Sequence, residues 1–526
     1  MTNTPRHASL ALFVLLPVAA CAPEPYDTIL QGGRVLDGTG SPALEADVAI
    51  RDGLIAAVGD LDGAAAGTIL DVTGLYVSPG FIDTHSHAGP GLATEELSHG
   101  EPLLAQGLTT VVVNPDGGGP VDLAAQRTEL EQHGLGVNVA QLVGHGSVRR
   151  QVLSSDDRAP TDSELDEMRG LVRGAMETGA WGLSSGTFYA PGSFAENAEL
   201  IELARVAAEF GGIYTSHIRD ESNYTIGVVA AVEEVIDVSR RTGITGVVTH
   251  IKALGPPVWG SSEAIAERID AARAEGLPVF ADQYPYLASS TGLSSALLPR
   301  WSQAGGSDAL AERVADPDTR ARIREAMVEN LARRGGADRI QFRRFAEDPS
   351  IEGRLLSDVA AERGEDPVDT ALELIIQGGP SIVSFNMSEE DLLRFMTREW
   401  TMTSSDGGLP RFGVGVPHPR SYGAFPRKIG KYVFEEGVMT LEAAIRTMTS
   451  LPADVMGMED RGRIEEGMVA DLVVFSEHFR DNATFTDPHQ LSAGVVHLFV
   501  AGEAAIRDAG FTGARAGRVL VKGAGR

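Results

Sequence analysis

Only one cysteine occurs in the 526 residues, Cys21, and no lysine precedes Lys252. The lone cysteine excludes an intramolecular disulfide and leaves no thiolate further along the chain to hold a metal. A basic footprint is lacking too: 44 Lys and Arg stand against 73 Asp and Glu, a net charge of −29. That balance argues against nucleic acid, whose phosphates need a basic surface, and against a polybasic lipid-binding face. The acidic excess instead fits a well-solvated surface. With 43% hydrophobic and 22% charged residues, the composition is that of a globular protein, long enough for one large domain and a smaller one.

The first 20 residues read as a signal peptide: Arg6 and His7 are basic, Leu10–Leu16 is apolar, and Val18-Ala19-Ala20 supplies small residues. The apolar run is too short to span a bilayer. Val18-Ala19-Ala20-Cys21 resembles a bacterial lipobox, which implies a lipidated Cys21 as the mature N-terminus. The alternative is an ordinary secretory signal and a secreted protein. Ala22 does not look like a signal for inner-membrane retention. The expected place is therefore the periplasm, on a membrane (the outer one) held only through Cys21.

Short alternating runs with Gly-containing turns fill residues 26–78 and read as a small β unit: Tyr26–Leu30, Arg34–Leu36, Ala46–Arg51, Leu54–Val58, Thr68–Asp71 and Tyr76–Ser78. From residue 79 to 450, eight apolar strands alternate with amphipathic helices. They are expected to end at His87, Asp116, His145, Ser185, His217, His250, Tyr284 and Asp406. That order predicts an α/β fold, a (β/α)8 TIM barrel, with an insertion of at least three helices at about 293–398. Strand signals return at Gly462–Ile464, Asp471–Phe475, Val495–Val500 and Arg518–Val521. Residues 451–526 are thus expected to complete a β-sandwich with 26–78, since neither segment can bury a core alone.

Polar residues at the C-terminal ends of barrel strands point to where this fold does chemistry. His85 and His87 are two apart, so on a strand both imidazoles project to one side and can share an ion. An HxH alone is a weak signal. Here a buried strand, Phe81-Ile82-Asp83, precedes it, His217 and His250 end two later strands, and Asp406 ends another. Gly182-Leu-Ser184-Ser-Gly186 formally matches a serine-nucleophile elbow, but Thr187-Phe-Tyr-Ala-Pro-Gly cannot start the helix that such a turn needs.

The set His85, His87, His217, His250 and Asp406 resembles the amidohydrolase superfamily pattern. Closer similarity is to the N-acyl-D-amino-acid deacylase (D-aminoacylase) group. The stretches that carry it include Ser216-His-Ile-Arg-Asp-Glu221, Asp282-Gln-Tyr-Pro-Tyr286 and His418-Pro-Arg-Ser-Tyr-Gly-Ala-Phe-Pro-Arg427. The resemblance implies Zn2+, one ion or two, with other divalent metals open. It departs from the group at Asn114-Pro-Asp116, where relatives carry a cysteine ligand. A carboxylated lysine on the fourth strand is excluded, because none precedes Lys252. Asp116 is then the candidate that completes the His217/His250 site and could bridge two ions; the alternative is a turn aspartate before three glycines.

The implied reaction is hydrolysis of a linear amide, an N-acyl-D-amino acid giving a carboxylate and a D-amino acid. A bound metal lowers the pKa of water and polarises the carbonyl, with Asp406 as general acid and base. By resemblance, Lys252, Tyr284, Ser289 and Arg420 clamp the substrate carboxylate and Tyr189 lines the pocket. His145 is either carbonyl-binding or a hydrogen-bonded core histidine. Arg300 is expected on the surface. A D-amino-acid dipeptidase and a cyclic-amide hydrolase remain alternatives at the same site. A non-catalytic metal- or ligand-binding lipoprotein is the rival outside enzymes, but a binder has no use for a general base.

Overall fold

Eight short parallel strands form the barrel: β1 (Phe81–Asp83), β2 (Leu108–Val113), β3 (Asn138–Gln141, resumed at Val143–Gly144), β4 (Gly182–Gly186), β5 (Ile213–His217), β6 (Thr245–Val248), β7 (Val279–Gln283) and β8 (Thr401–Thr403). The computed structural model describes residues 1–2 and 24–523. The leader and lipobox readings fall on residues 3–23 and so lie outside the described residues. Each barrel strand pairs in parallel with the next, and a bridge from His87 to Gly408 closes the ring. Strands buried on both faces must be apolar throughout, as Leu108-Thr-Thr-Val-Val-Val113 nearly is. The helices outside bury one stripe only. Val228–Thr242 turns Val228, Ala231, Val232 and Val235 inward and stops at Gly243, whose left-handed φ of 74° an L residue would resist.

Several strands stop short of the expected ends, β1 at Asp83, β2 at Val113, β6 at Val248 and β8 at Thr403. The cause is visible at three of them: Asp116 (φ 57°), His250 (φ 35°) and Asp406 (φ 48°) have left-handed backbones that end an extended ladder.

The small domain is a nine-stranded sheet that joins residues 26–79 to 472–511. Its seam is antiparallel pairing of Tyr76–Pro79 with Leu472–Arg480. Leu30, Val48, Val474 and Phe499, from the strand pairs on either side of Tyr76–Pro79, share one core. Tyr26–Val35 is one strand, bulged between Leu30 and Gly33, where two were expected. Two expectations for the C-terminal segment are corrected. Gly462–Ile464 is irregular chain. Val519–Leu520 joins the barrel, pairing with Val139 and Ala140 of β3. β3 meets β4 only through Val143 and Gly144, so the earlier half of β3 offers a free edge, and Trp181 Nε1 fixes the added strand by donating to Leu520 O (2.9 Å).

The insertion has its own core, around Leu297, Met327, Phe342 and Leu372. Besides its helices it contains an unexpected antiparallel sheet, with Ser381–Ser384 between Ser289–Gly292 and Ile340–Arg344.

Between β8 and the helix Leu441–Met448, Lys428 is buried and donates to Thr403 Oγ1 and Thr447 Oγ1 (both 2.9 Å), with no carboxylate partner among the described residues. Burial pushes its ammonium down to about 7. Between pH 7 and the ordinary lysine value the unfolded chain holds a proton that the folded chain lacks, so this group's contribution to stability rises with pH. Urea unfolding at pH 7 and 9 should show wild type gaining on Lys428→Met by up to about 1.4 kcal/mol per pH unit. A difference that does not change with pH would refute the buried neutral amine.

Candidate metal and active site

Six side chains converge just beyond the barrel's C-terminal rim: His85, His87, Asp116, His217, His250 and Asp406. Backbone bonds bring the ends of β1 and β8 together, His87 N to Gly407 O and Asp406 N to His85 O. Asp83 ties the same corner by accepting from the amides of Ser405 (2.9 Å) and His85 (3.2 Å). Burial raises Asp83 to about 6 against these hydrogen bonds. Asp282 does the same for β6, accepting from His250 N (2.8 Å) and Ser404 Oγ (2.6 Å). Ser184 holds the Asp116 loop: its hydroxyl donates to Asn114 O (2.6 Å) and accepts from Gly117 N (3.1 Å). A Cβ at Gly117 would lie 2.9 Å from Gly186 N, which explains the glycine after Asp116. Ser184 is wholly buried in this task and is no nucleophile.

Asp116 stands between two groups of imidazoles. Its Oδ1 lies 3.6 Å from His217 Nδ1, 3.5 Å from His250 Nε2 and 3.4 Å from His85 Nε2, and its Oδ2 3.3 Å from His87 Nε2. Asp406 Oδ1 lies 3.3 Å from His87 Nε2 and 3.7 Å from His85 Nε2. A tetrahedral ion with bonds of 2.0–2.1 Å separates its ligand atoms by about 3.3–3.4 Å. Asp116 Oδ1, His85 Nε2 and His217 Nδ1 are buried without a hydrogen-bond partner. Orphaned donors and acceptors at that spacing fit a cation between them. The residues therefore suit a divalent metal, with Asp116 in reach of two positions.

Electrostatics agree. Burial would push His87 down, but Asp116 and Asp406 raise it to about 9. Burial and Lys252 oppose the charge on His250, yet Asp406, Glu221 and Asp116 lift it to about 10. The carboxylates draw positive charge into the site, and a bound metal replaces those protons.

A cavity of about 640 Å³ opens over these groups and is lined by Tyr189, Lys252, Tyr284, Ser289 and Arg420. Lys252 is already held, donating to Glu221 Oε1 (2.5 Å) and His250 O (2.8 Å). Arg420 Nη1 lies 2.7 Å from Asp406 Oδ2 but without hydrogen-bond alignment, and the guanidinium sits 4.7 Å over the Tyr284 ring. The Tyr189 ring is 4.6 Å from that of His217. Ser289 Oγ donates to Asn386 Oδ1 (3.0 Å).

Two expectations change. His145 does not line the cavity; it begins the helix His145–Leu153 and bonds Glu199 (2.8 Å), which Arg149 also grips. Arg300 is half-buried rather than fully on the surface: its guanidinium lies 3.9 Å over the ring of Phe188, a cavity residue, and desolvation lowers it to about 10. Three residues without an assigned role also stand at the site. Glu221 faces His217 Nε2 (3.6 Å) and His250 Nδ1 (3.1 Å) from the far side and orients both rings. Arg334 and Arg343 come from the insertion. Glu221 closes the stretch Ser216-His-Ile-Arg-Asp-Glu221 that carries the resemblance, but the sequence alone assigns it no role.

A (β/α)8 barrel with this donor set at its C-terminal rim defines a metal-dependent hydrolase. The chain belongs to the amidohydrolase family, whose profile, described as "Amidohydrolase family", matches residues 68–506. Over 520 residues it is 38% identical to the N-acyl-D-glutamate deacylase of Alcaligenes xylosoxydans xylosoxydans, covering 94% of this chain and 97% of that one. The D-aminoacylase of the same bacterium is 36% identical over 525 residues, 95% and 98% of the two chains. Among solved structures, the N-acyl-D-glutamate deacylase of Bordetella bronchiseptica, complexed with zinc and a phosphonate mimic of the tetrahedral intermediate, superposes with a TM-score of 0.81. It is 36% identical and covers 95% of this chain and all of its own.

Removing the shared carboxylate should cost metal. Purified Asp116→Ala is expected to hold at least one metal equivalent less per chain by elemental analysis, and to lose activity in step. Full metal content and full rate in the variant would end the bridging role.

Proposed function

We propose that this protein hydrolyses the amide of N-acyl-D-amino acids, using zinc held by His85, His87, Asp116, His217 and His250. The observation that carries it is the Asp116 carboxylate set between two imidazole groups, with an ionised Asp406 beside them and a cationic wall opposite. A bound divalent metal supplies Lewis-acid polarisation of the acyl carbonyl and makes water more acidic. Arg420, with Tyr284 and Ser289, takes the substrate carboxylate. Lys252 adds its charge through Glu221, keeping that carboxylate ionised against His217 and His250.

Asp406 moves the proton, from the attacking water to the leaving nitrogen. Burial would raise this carboxyl, but Arg420 and His250 hold it well below the ordinary range. So deep a carboxylate is a weak base while Arg420 faces it. A substrate that draws Arg420 to its own carboxylate removes the strongest opposing charge and raises the basicity of Asp406, so binding switches on the base. The three relatives named above are, by their names, N-acyl-D-glutamate deacylases or a D-aminoacylase, and this supports the stereochemistry. Placement in the periplasm, anchored through a lipidated Cys21, belongs to the same proposal and rests on Val18-Ala19-Ala20-Cys21. Fatty-acid labelling that persists in Cys21→Ser would remove the anchor.

Wild type should cleave N-acetyl-D-amino acids in preference to their L-forms and lose that activity to a chelator, with recovery on added zinc. Asp406→Asn should lower kcat by about 10²–10⁴-fold with little change in ligand affinity. Equal turnover of D- and L-forms, or full activity in the Asp406 variant, would overturn the assignment.

A further inference from the structure

The groups assigned to the substrate carboxylate come from two separate pieces of chain: Tyr284 and Ser289 follow β7, and Arg420 follows β8. One buried side chain, His418, bonds to both pieces. Its Nε2 lies 3.0 Å from Ala288 O, the carbonyl just before Ser289, and its Nδ1 lies 3.1 Å from the amide nitrogen of Arg420. A carbonyl only accepts and an amide N–H only donates, so Nε2 carries the hydrogen and Nδ1 offers the lone pair. Burial and the charge of Arg420 hold the imidazole well below its ordinary range, which keeps the ring neutral in that one tautomer.

The local sequence creates the need for this bond. Arg420 opens the helix Arg420–Arg427, and an amide at that position has no partner inside the helix. Pro419 before it gives no side-chain cap, so His418 supplies the acceptor. Gln106 fixes the following turn, donating to Ser421 O (3.2 Å) and accepting from Ala424 N (2.8 Å), and leaves the Arg420 amide to His418. The arginine arm depends on that support. Its Nη1 is buried without an aligned partner beside Asp406, and its guanidinium rests on the Tyr284 ring. Neither contact sets how far the arm reaches, so its backbone must. The imidazole is fully buried, edge-on to the rings of Tyr286 (5.2 Å) and Phe485 (4.9 Å).

We propose that His418 is a positioning residue: by bridging Ala288 O and the Arg420 amide, it sets the distance between the two halves of the carboxylate clamp. This rests on the deacylase reading of the same site. His418 does not line the cavity and moves no proton; it acts through Arg420 and the Ser289 segment. Its two bonds divide the work. Nδ1 places the arginine, and Nε2 ties that placement to the segment that carries Ser289. A clamp with its halves misplaced by about 1 Å loses up to about 100-fold in its effect, even though every member is present.

Two measurements test this. The first compares N-acetyl-D-leucine or N-acetyl-D-glutamate, whichever wild type turns over faster, with its α-amide, which lacks the carboxylate that the clamp holds. Wild type should favour the acid by about 100-fold or more in kcat/KM. His418→Gln, whose amide reaches the Nε2 position but leaves the Arg420 amide bare, should cut that ratio by about 10-fold or more, mostly through KM. His418→Asn puts its Oδ1 where Nδ1 stood and should recover most of the ratio. Equal losses for acid and amide, or an Asn variant no better than Gln, would reduce His418 to packing and overturn the proposal. With the arm removed in Arg420→Ala, His418→Gln should cost no more than about 2-fold further in that ratio; a full further loss would show that it acts by another route. The second reads binding without turnover, by calorimetry of both acids with metal-loaded Asp406→Asn, alone and carrying His418→Gln or His418→Asn. An affinity drop of about 10-fold with Gln that Asn restores upholds His418 even if no N-acyl-D-amino acid is hydrolysed, an outcome that would sink the deacylase reading alone. Good turnover with the same acid-to-amide ratio in wild type and both variants leaves the deacylase and removes the inference. Neither turnover nor binding of either acid removes both.

Discussion

One carboxylate, Asp116, sets the terms for the rest of the site. It reaches both imidazole groups, and with Asp406 it brings two negative charges among rings of which His85 and His217 make no hydrogen bond. Such a cluster is tolerable only with compensating cations, because burying unpaired charge costs far more than folding can spare. Protons on His87 and His250 meet that need in the metal-free chain, and a divalent ion meets it with better geometry. The absence of a usable cysteine or an early lysine leaves a plain carboxylate as the remaining anionic ligand at this place.

Holding that arrangement costs backbone energy. Asp116, His250 and Asp406 all adopt left-handed conformations, which cost on the order of 1–3 kcal/mol each for residues with a Cβ. Buried polar side chains from neighbouring strands hold or flank them: Ser184 the Asp116 loop, Asp282 the amide of His250, and Asp83 the turn into Asp406. Each is buried within the barrel, so the strain at the rim is met by hydrogen bonds formed where water cannot compete. The chemistry thus depends on a supporting layer that never touches substrate.

The barrel and its ligands were legible because they follow a period. Two histidines two residues apart on a strand must share a face, and strand-end positions in a repeating βα pattern must share a rim. What escaped follows no period. Glu221 lies in irregular chain beyond β5 and reaches the histidines by a turn whose geometry no spacing rule encodes. Arg334 and Arg343 stand far along the insertion, separated from Asp282 and Asp406 by many residues, and only the insertion's own folding brings them to the mouth. Arg300 reads as a surface charge until its stacking on Phe188 is seen. His145 ends a strand as the ligands do, but a helix starts there and turns it toward Glu199. The strand at Val519–Leu520 was legible, but its partner was not, because that partner is set by a free edge in the barrel and not by any local pattern.

This split between periodic and aperiodic parts is also a split of labour. The metal ligands and the base come from strand ends, where the barrel's hydrogen bonds fix them to one another. Arg334 and Arg343 come from an insertion with a separate core. Arg420 is the exception, since it reaches both the substrate carboxylate and Asp406. Substrate choice and proton transfer are therefore coupled through one guanidinium, and side chains on the insertion can tune the first only as far as Arg420 remains free to serve the second.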